Sequence, residues 1–243
     1  MNGLDLFSGI GGLSLALAPW VRPIAYCEND RYAQSVLLAR MADGLLVNAP
    51  IWDDICTLTA REVPPVDFLY GGFPCQDISV AGHGKGLSGS RSGLYWEMHR
   101  LIKEIKPTFV FLENVPAIRT RGAIEVARSL DELGYYQNWD VISAREVGAP
   151  FIGERWFLLA AADSETLREQ QGWWEREGWE APTFNPSISN LGLTPWTPKG
   201  GFEPRVFGAG NGIPFAVDRD RALGNAVVPL QAQIAFKRLA GIK

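Results

Sequence analysis

Short apolar runs alternate with segments of helical period from Met1 to about Ala161, and each run stops at glycine or at an acidic residue. That alternation constrains the fold more than any other feature of the chain. Gly3-Leu4-Asp5-Leu6-Phe7 predicts a first strand, Ser8-Gly9-Ile10-Gly11-Gly12 a turn, and Leu13, Leu15, Ala16 and Leu17 a helix. Pro23–Cys27 predicts a second strand that ends at Glu28, with a helix from Arg31 to Arg40 after it. Val47 to Ile51 is weakly extended and leads to Asp53-Asp54-Ile55. Phe68-Leu69-Tyr70 is an apolar run closed by Gly71 and Gly72. Leu94, Met98, Leu101, Ile102 and Ile105 then fall at helical spacing, and Pro107 stops that helix. Thr108–Leu112 is a buried strand reaching Glu113. Ala123, Val126, Ala127 and Leu130 mark an amphipathic helix closed near Gly134. Asp140–Ala144 and Arg155–Ala161 are expected as two further strands, antiparallel to each other. A last helix is expected to place Val227, Leu230 and Ile234 on one face, with Pro229 in its first turn. Strands alternating with helices in this way predict an α/β fold around a mostly parallel, doubly wound sheet.

The pattern changes at about Asp163. From there to Val217 the chain is rich in Gly, Pro and Trp with little periodicity, and it carries Trp173, Trp174, Trp179 and Trp196. A segment of that length is expected to be functional rather than a plain connection. Its tryptophans can stack on nucleic-acid bases or form a small core of their own. The expected division is therefore residues 1–162 as a catalytic and cofactor-binding domain and 163–217 as a small irregular region. Residues 218–243 return to complete the first domain. The 243 residues are 47% hydrophobic, enough for a substantial core, and no run matches a membrane span or a secretion signal. A soluble, intracellular protein is expected. Cys27, Cys56 and Cys75 are odd in number and widely spaced, which argues against a disulfide framework and a zinc site. His83 and His99 are too few for a histidine metal site and are expected on loops or at the surface. No metal is expected. The net charge of −4 neither announces nor excludes nucleic-acid binding, because phosphate contacts need only local positive charge. Such clusters exist at Arg119 with Arg121, Lys199 with Arg205, and Arg219 with Arg221.

Chemistry concentrates in Gly71-Gly72-Phe73-Pro74-Cys75-Gln76. The glycines are expected to let the backbone leave the strand sharply, and Pro74 fixes φ just before the thiol. Glycines at 82, 84, 86, 89 and 93 follow. Ligands of open α/β sheets sit outside the carboxyl ends of the strands. Strand ends place the Gly9–Gly12 turn, Glu28, Asp54, Cys75 and Glu113 on one rim. The glycine turn suits a nucleoside-bearing cofactor. Glu28 can accept ribose hydroxyls, or it can belong to the cap of the next helix, with Asn29 or Asp30 as the capping residue. A thiol beside a carboxylic acid, without histidine, does not resemble a cysteine protease. It suits attack on an electron-poor ring whose nitrogen is protonated at the same time, with burial keeping Glu113 protonated.

With those residues in order, the sequence resembles the C5-cytosine DNA methyltransferases over nearly its whole length. The resemblance rests on Asp5-Leu6-Phe7-Ser8-Gly9-Ile10-Gly11-Gly12, on Gly72-Phe73-Pro74-Cys75-Gln76, on Glu113-Asn114-Val115 and on Gly224-Asn225-Ala226-Val227-Val228-Pro229. It implies a Rossmann-like, S-adenosylmethionine-dependent methyltransferase domain with a small target-recognition region inserted before the last helix. By the same resemblance Cys75 attacks carbon 6 of a flipped-out cytosine, Glu113 protonates nitrogen 3, and Arg155 helps hold the base. Carbon 5 takes the methyl group of S-adenosyl-L-methionine, leaving S-adenosyl-L-homocysteine. Phe7, Gly9, Ile10, Gly11 and Gly12 then surround the methionine and ribose, and Glu28 takes the ribose. Asn29, Asp54 and Ile55 lie at the adenine, and Asn225, Ala226 and Val227 at the methionine end. Gln76, Ser79 and Arg91 become DNA contacts. The family element Gln-x-Arg-x-Arg reads here Phe151-Ile152-Gly153-Glu154-Arg155, without its glutamine and first arginine, and Asn29 stands where an apolar residue often packs on adenine. The implied partner is double-stranded DNA, met by a monomer in the cytoplasm of a bacterial or phage-infected cell, with a cognate restriction endonuclease as a further partner. Two other readings stay open: an RNA (tRNA) cytosine-5-methyltransferase, and a catalytically silent DNA-binding or regulatory protein.

Overall fold

A computed structural model of the chain describes residues 1–74, 93–149, 151–162 and 227–242. The strands are β1 (Asn2–Leu6), β2 (Arg22–Cys27), β3 (Ile51–Trp52), β4 (Phe68–Gly72), β5 (Phe109–Asn114), β6 (Tyr136–Ile142) and β7 (Arg155–Ala161). The helices among the described residues are α1 (Gly12–Leu17), α2 (Arg31–Ala42), α3 (Gly93–Ile105), α4 (Ala123–Glu132) and α5 (Pro229–Leu239). The strands form one sheet in the order β3-β2-β1-β4-β5-β7-β6. Pairs among β3, β2, β1, β4 and β5 are parallel, while β7 runs antiparallel to both β5 and β6. The chain order reverses direction across the sheet between β1 and β4, which makes their carboxyl ends the crevice of a doubly wound fold.

Both faces of the sheet are covered, and alternation along single strands shows how. In β5, Val110 and Leu112 point to the layer holding Tyr95, Met98, Leu101 and Ile102 of α3 and Val126 and Leu130 of α4. Phe109 and Phe111 point to the opposite layer, with Leu13, Ala16 and Leu17 of α1 and Ala232, Ala235 and Phe236 of α5. The apolar runs therefore read as continuous rather than alternating in the sequence, as expected for strands buried on both sides.

The structure corrects three expectations about elements. The sixth strand spans Tyr136–Ile142, not Asp140–Ala144, because its ladder with β7 starts at Tyr136 opposite Ala161. Ser143 instead opens a 3-10 turn over Ala144–Val147 through a capping box with Glu146. β5 runs on through Asn114, so Glu113 lies within the strand. The last helix buries Gln231, Ala232, Ala235 and Phe236, whereas Leu230 and Ile234 are only half-buried. Its small alanines let it sit close to α1 and the sheet, and Phe236 packs edge-on against Phe68 and Phe111 at 5.7 Å each. No helix among the described residues is long and apolar enough to cross a membrane.

Candidate active site

The first half of the rim is built around the exit of β1. Phe7 takes φ 54, an uncommon value for a residue with a side chain, and its surroundings hold it there. The Ser8 hydroxyl donates to the Asp5 carbonyl at 2.9 Å, and the Ser8 amide donates to the Cys27 carbonyl at 3.1 Å. The exits of β1 and β2 are thereby tied together. Gly9 and Gly11 follow at φ 52 and φ 85, which favours glycine at both. A Cβ on Gly9 would meet no described residue within 4 Å, so the described residues leave space over the turn. A Cβ on Gly12 would come within 2.9 Å of Val227, so the residue entering α5 closes on the turn from the far end of the sequence.

Glu28 is buried, and both its oxygens are engaged. Oε2 accepts from the Gly9 amide at 2.7 Å, and Oε1 accepts from the Asp30 amide at 2.8 Å. Asp30 caps α2 through the Ala33 amide. Glu28 thus has a structural role in shaping the turn. Asn29 is exposed. Asp54 is exposed too, with Oδ1 accepting from the Cys56 amide at 2.9 Å, while Ile55 is buried. Beneath the turn, Asp5 is fully buried and accepts from Ser14 at 2.6 Å, and Ser14 lies 2.7 Å from the Tyr70 hydroxyl. Burial, with a smaller push from Glu28, raises the Asp5 carboxyl to about 7, and the Ser14 hydrogen bond works against the rise.

The second half is built where β4 meets β5. Gly72 stands opposite Glu113 in the ladder, and a Cβ on Gly72 would come within 2.5 Å of Glu113 Oε2. A Cβ on Gly71 would overlap the Leu6 carbonyl oxygen of β1. Neither glycine has positive φ, and the strand runs through both. The expectation of a sharp exit at these glycines is therefore corrected: they are needed for room, one for the β1 backbone and one for the Glu113 carboxyl. Beyond them, Asn114 Nδ2 donates to the Phe73 carbonyl at 3.0 Å, and Asn114 Oδ1 accepts from the Val115 amide at 2.9 Å. Asn114 so fixes the backbone just before Pro74.

Arg155, the first residue of β7, places Nε 3.0 Å from Glu113 Oε1, and both side chains are largely buried. Burial raises the Glu113 carboxyl to about 7, and the Arg155 guanidinium limits the rise. Such a group can hold or release a proton at neutral pH. The loop before Arg155 is strapped down. Gln231 of α5 donates to the carbonyls of Ile142 and Gly153 at 2.6 and 2.8 Å, and Ser143 Oγ donates to the Ile152 carbonyl at 2.8 Å. Phe151 and Ile152 are left exposed on it.

Glu28 and the glycine turn are thus brought into contact, Val227 joins them, and Glu113 and Arg155 form a pair. Cys75, Gln76, Ser79, Arg91, His83, Asn225 and Ala226 lie outside the described residues, as does the Gly-, Pro- and Trp-rich segment. Of the described cysteines, Cys27 is buried in β2 and Cys56 is exposed, and both are free. Burial, with the carboxylates of Glu28 and Asp54 adding, pushes the Cys27 thiol up to about 12, and Cys56 is also raised, by desolvation and then by Asp54. Neither has an activated thiol. His99 is half-buried in α3 with Nε2 3.1 Å from the Ser129 carbonyl. Sequence reasoning missed Arg40, which donates to the Ile10 carbonyl from the last turn of α2, and Gln231. A basic residue closing a helix and a glutamine among apolar helix positions are the only signals that mark them.

The family model for C-5 cytosine-specific DNA methylase matches residues 1–191. Type II methyltransferase M.CviJI of Paramecium bursaria Chlorella virus IL3A is 35% identical over 159 residues, covering 65% of this chain and 42% of the relative. Type II methyltransferase M.HhaI of Haemophilus parahaemolyticus is 33% identical over 176 residues, covering 69% of this chain and 51% of the relative. The chain therefore spans about half the length of the curated relatives it matches. Among solved structures, a protein described as a DNA modification methyltransferase encoded within an E. coli prophage superposes with a TM-score of 0.55 at 28% identity, over 69% of this chain and 48% of that one. The S. pombe Dnmt2 methyltransferase shares the fold, with a TM-score of 0.52 at 22% identity over 66% of this chain and 49% of that one. A family match over most of the sequence, on a doubly wound sheet whose rim joins a glycine turn to a buried acid–arginine pair, shows that this chain belongs to the C-5 cytosine-specific DNA methylases.

Proposed function

We propose that the chain is a DNA (cytosine-5)-methyltransferase that acts through Cys75, Glu113 and Arg155. The observation that carries the proposal is the Glu113–Arg155 pair, with the carboxyl raised to about 7, packed against Gly72 at the strand end that leads to Pro74 and Cys75. S-adenosyl-L-methionine fits the rim: the space that the described residues leave over Gly9, the amides of a tight turn and the Glu28 carboxylate suit a methionine and ribose. That cofactor supplies the methyl group. Phe7, Gly9, Ile10, Gly11, Gly12 and Glu28 hold it from one side, Asp54 and Ile55 from the adenine end, and Asn225, Ala226 and Val227 from the methionine end.

The target cytosine must leave the duplex stack to reach the rim. The Cys75 sulfur adds to carbon 6 while Glu113 gives its proton to nitrogen 3, and Arg155 keeps the carboxyl aimed at the ring. Carbon 5 would then take the methyl group as its bond to the cofactor sulfur breaks, leaving S-adenosyl-L-homocysteine; nitrogen 3 returns its proton to Glu113, and loss of the carbon 5 proton to a base forms the carbon 5–carbon 6 double bond and expels the Cys75 thiolate. A carboxyl near neutrality suits the proton delivery, because at the ordinary carboxylate pKa almost none of it would be protonated at pH 7. Gln76, Ser79 and Arg91 belong to the DNA-contacting set. Residues 163–217 form the target-recognition region, and 1–162 with 218–243 form the catalytic domain.

The test is expression in a host free of cytosine methylation, followed by base-resolution mapping of 5-methylcytosine. Methylation within one short recurring motif, lost in Cys75→Ala and Glu113→Gln, is expected. Methylation confined to RNA, or full activity of Cys75→Ala on DNA, would overturn the proposal.

A further inference from the structure

The loop that carries Asp54 and Ile55 starts at β3, a two-residue strand at the edge of the sheet. A strand that short gives the loop almost no ladder to hold on to. Beside the burial of Ile55 and Leu58 in the core, its backbone is held from α3. Arg100 Nη2 donates to the Ile55 carbonyl at 3.0 Å and to the Leu58 carbonyl at 2.9 Å. Glu97 and Glu104, one turn before and one turn after, hold the guanidinium at 2.8 and 2.9 Å. Glu104 also accepts from the Ala60 amide at 3.3 Å. The helix is a fixed post, since Tyr95, Met98, Leu101 and Ile102 are fully buried beneath it. Ion pairs as exposed as these, with side chains about a third accessible, contribute little to stability. What the arrangement does supply is a guanidinium held in one orientation and aimed at backbone carbonyls.

We propose that Arg100 is a positioning residue for the adenine end of the cofactor site: it sets the loop so that Asp54 and Ile55 meet the purine. The proposal rests on the assignment of those two residues to adenine. Nothing about Arg100 touches the reacting atoms, so its effect falls on cofactor affinity and on base discrimination, not on the chemical step.

The test uses the full chain with Arg100→Met, Arg100→Lys and the double variant Glu97→Gln/Glu104→Gln. Binding of S-adenosylhomocysteine and of S-inosylhomocysteine, whose hypoxanthine lacks the adenine amino group, is measured by calorimetry beside KM and kcat. For Arg100→Met, KM for S-adenosylmethionine should rise about tenfold, the size expected for one or two lost hydrogen bonds to carbonyls, with kcat at saturating cofactor within about twofold. Its preference for the adenosyl over the inosyl ligand should fall toward one. Arg100→Lys, which keeps a cationic donor but loses the planar fork that Glu97 and Glu104 orient, should fall between. The double variant leaves the guanidinium in place without its guides and should lose about threefold in preference, which keeps the test open should Arg100→Met fail to fold. Unchanged preference in the folded variants would overturn the role of Arg100. A wild-type chain that does not distinguish the two ligands, or an Asp54→Ala variant with unaltered affinity, would overturn the adenine assignment itself.

Discussion

Glu113 is the residue on which proton chemistry turns, and its surroundings define a pH dependence. Burial raises its carboxyl to about 7 and Arg155 opposes the rise. The unfolded chain releases this proton near the ordinary carboxylate value, so between pH about 4.5 and about 7 the folded chain binds more protons than the unfolded one. Stability from this group is therefore full below that window and is lost as pH rises through about 7. Asp5, raised to about 7 by burial, adds a slope of the same sign. Urea titrations of Glu113→Gln at pH 5 and pH 8 should show a smaller pH difference than the wild type, with the Asp5 part remaining. Its rate of transfer should fall by about a hundredfold or more. Arg155→Met removes the opposing charge, so the alkaline limb of the pH–rate profile should move to higher pH. The two glycines beside it separate by what they touch. Gly71→Ala strikes the β1 backbone and should cost about 3 kcal/mol in stability. Gly72→Ala displaces the Glu113 carboxyl and should lose activity out of proportion to stability.

Among the elements, α5 does more than cover the sheet. Its Gln231 side chain spans from the end of β6 to the loop before β7, and so sets where Arg155 begins. Gln231→Leu keeps a similar volume but leaves the carbonyls of Ile142 and Gly153 without this donor. A loss of about 2 kcal/mol in urea denaturation is expected, with a fall in kcat from the misplaced Arg155. α2 holds the other half of the rim in the same way, through Arg40 on the Ile10 carbonyl and Asp30 at its cap. In both cases a helix packed elsewhere for apolar reasons positions a loop at the rim through one long polar side chain.

At the scale of the whole molecule, residues from both ends of the sequence complete one core. Ala232, Ala235 and Phe236 cover Phe68, Phe109 and Phe111 of the central strands, and Val227 closes on Gly12. Removing residues 227–243 would expose that face and should abolish cooperative unfolding in a thermal scan, even though every strand remains. Ligand that fits the rim should act in the opposite direction. S-adenosylhomocysteine at a hundred times its Kd should stabilise the chain by about 2.7 kcal/mol. Glu28→Ala, which frees the Gly9 amide, should remove most of that gain.

The succession of strands and helices along the chain, the glycine turn, and Glu28 and Glu113 near strand ends were legible in the sequence, because apolar runs, strand ends and glycine spacing are local signals; Arg155 was marked only by the resemblance to the family's arginine element. The one-rim arrangement followed from parallel strands, which place their carboxyl ends together whatever the loops do. Distance and burial were not legible. The face of α5 was misread because Leu and Ile outweigh Ala by hydrophobicity, while close packing on α1 and the sheet selects Ala. Gly71 and Gly72 resemble a turn in one dimension, yet only the ladder shows a neighbouring carbonyl and a carboxyl occupying the space of their missing side chains. Arg40, Arg100 and Gln231 carry no motif, since a hydrogen bond to a distant carbonyl depends on where two separately packed elements meet. The sequence by itself thus determined which turn and which strands meet at the rim. Tertiary structure decided how they are held there: burial raised the Glu113 carboxyl to about 7 against the opposing Arg155 guanidinium, and both influences exist only once β5 and β7 lie side by side.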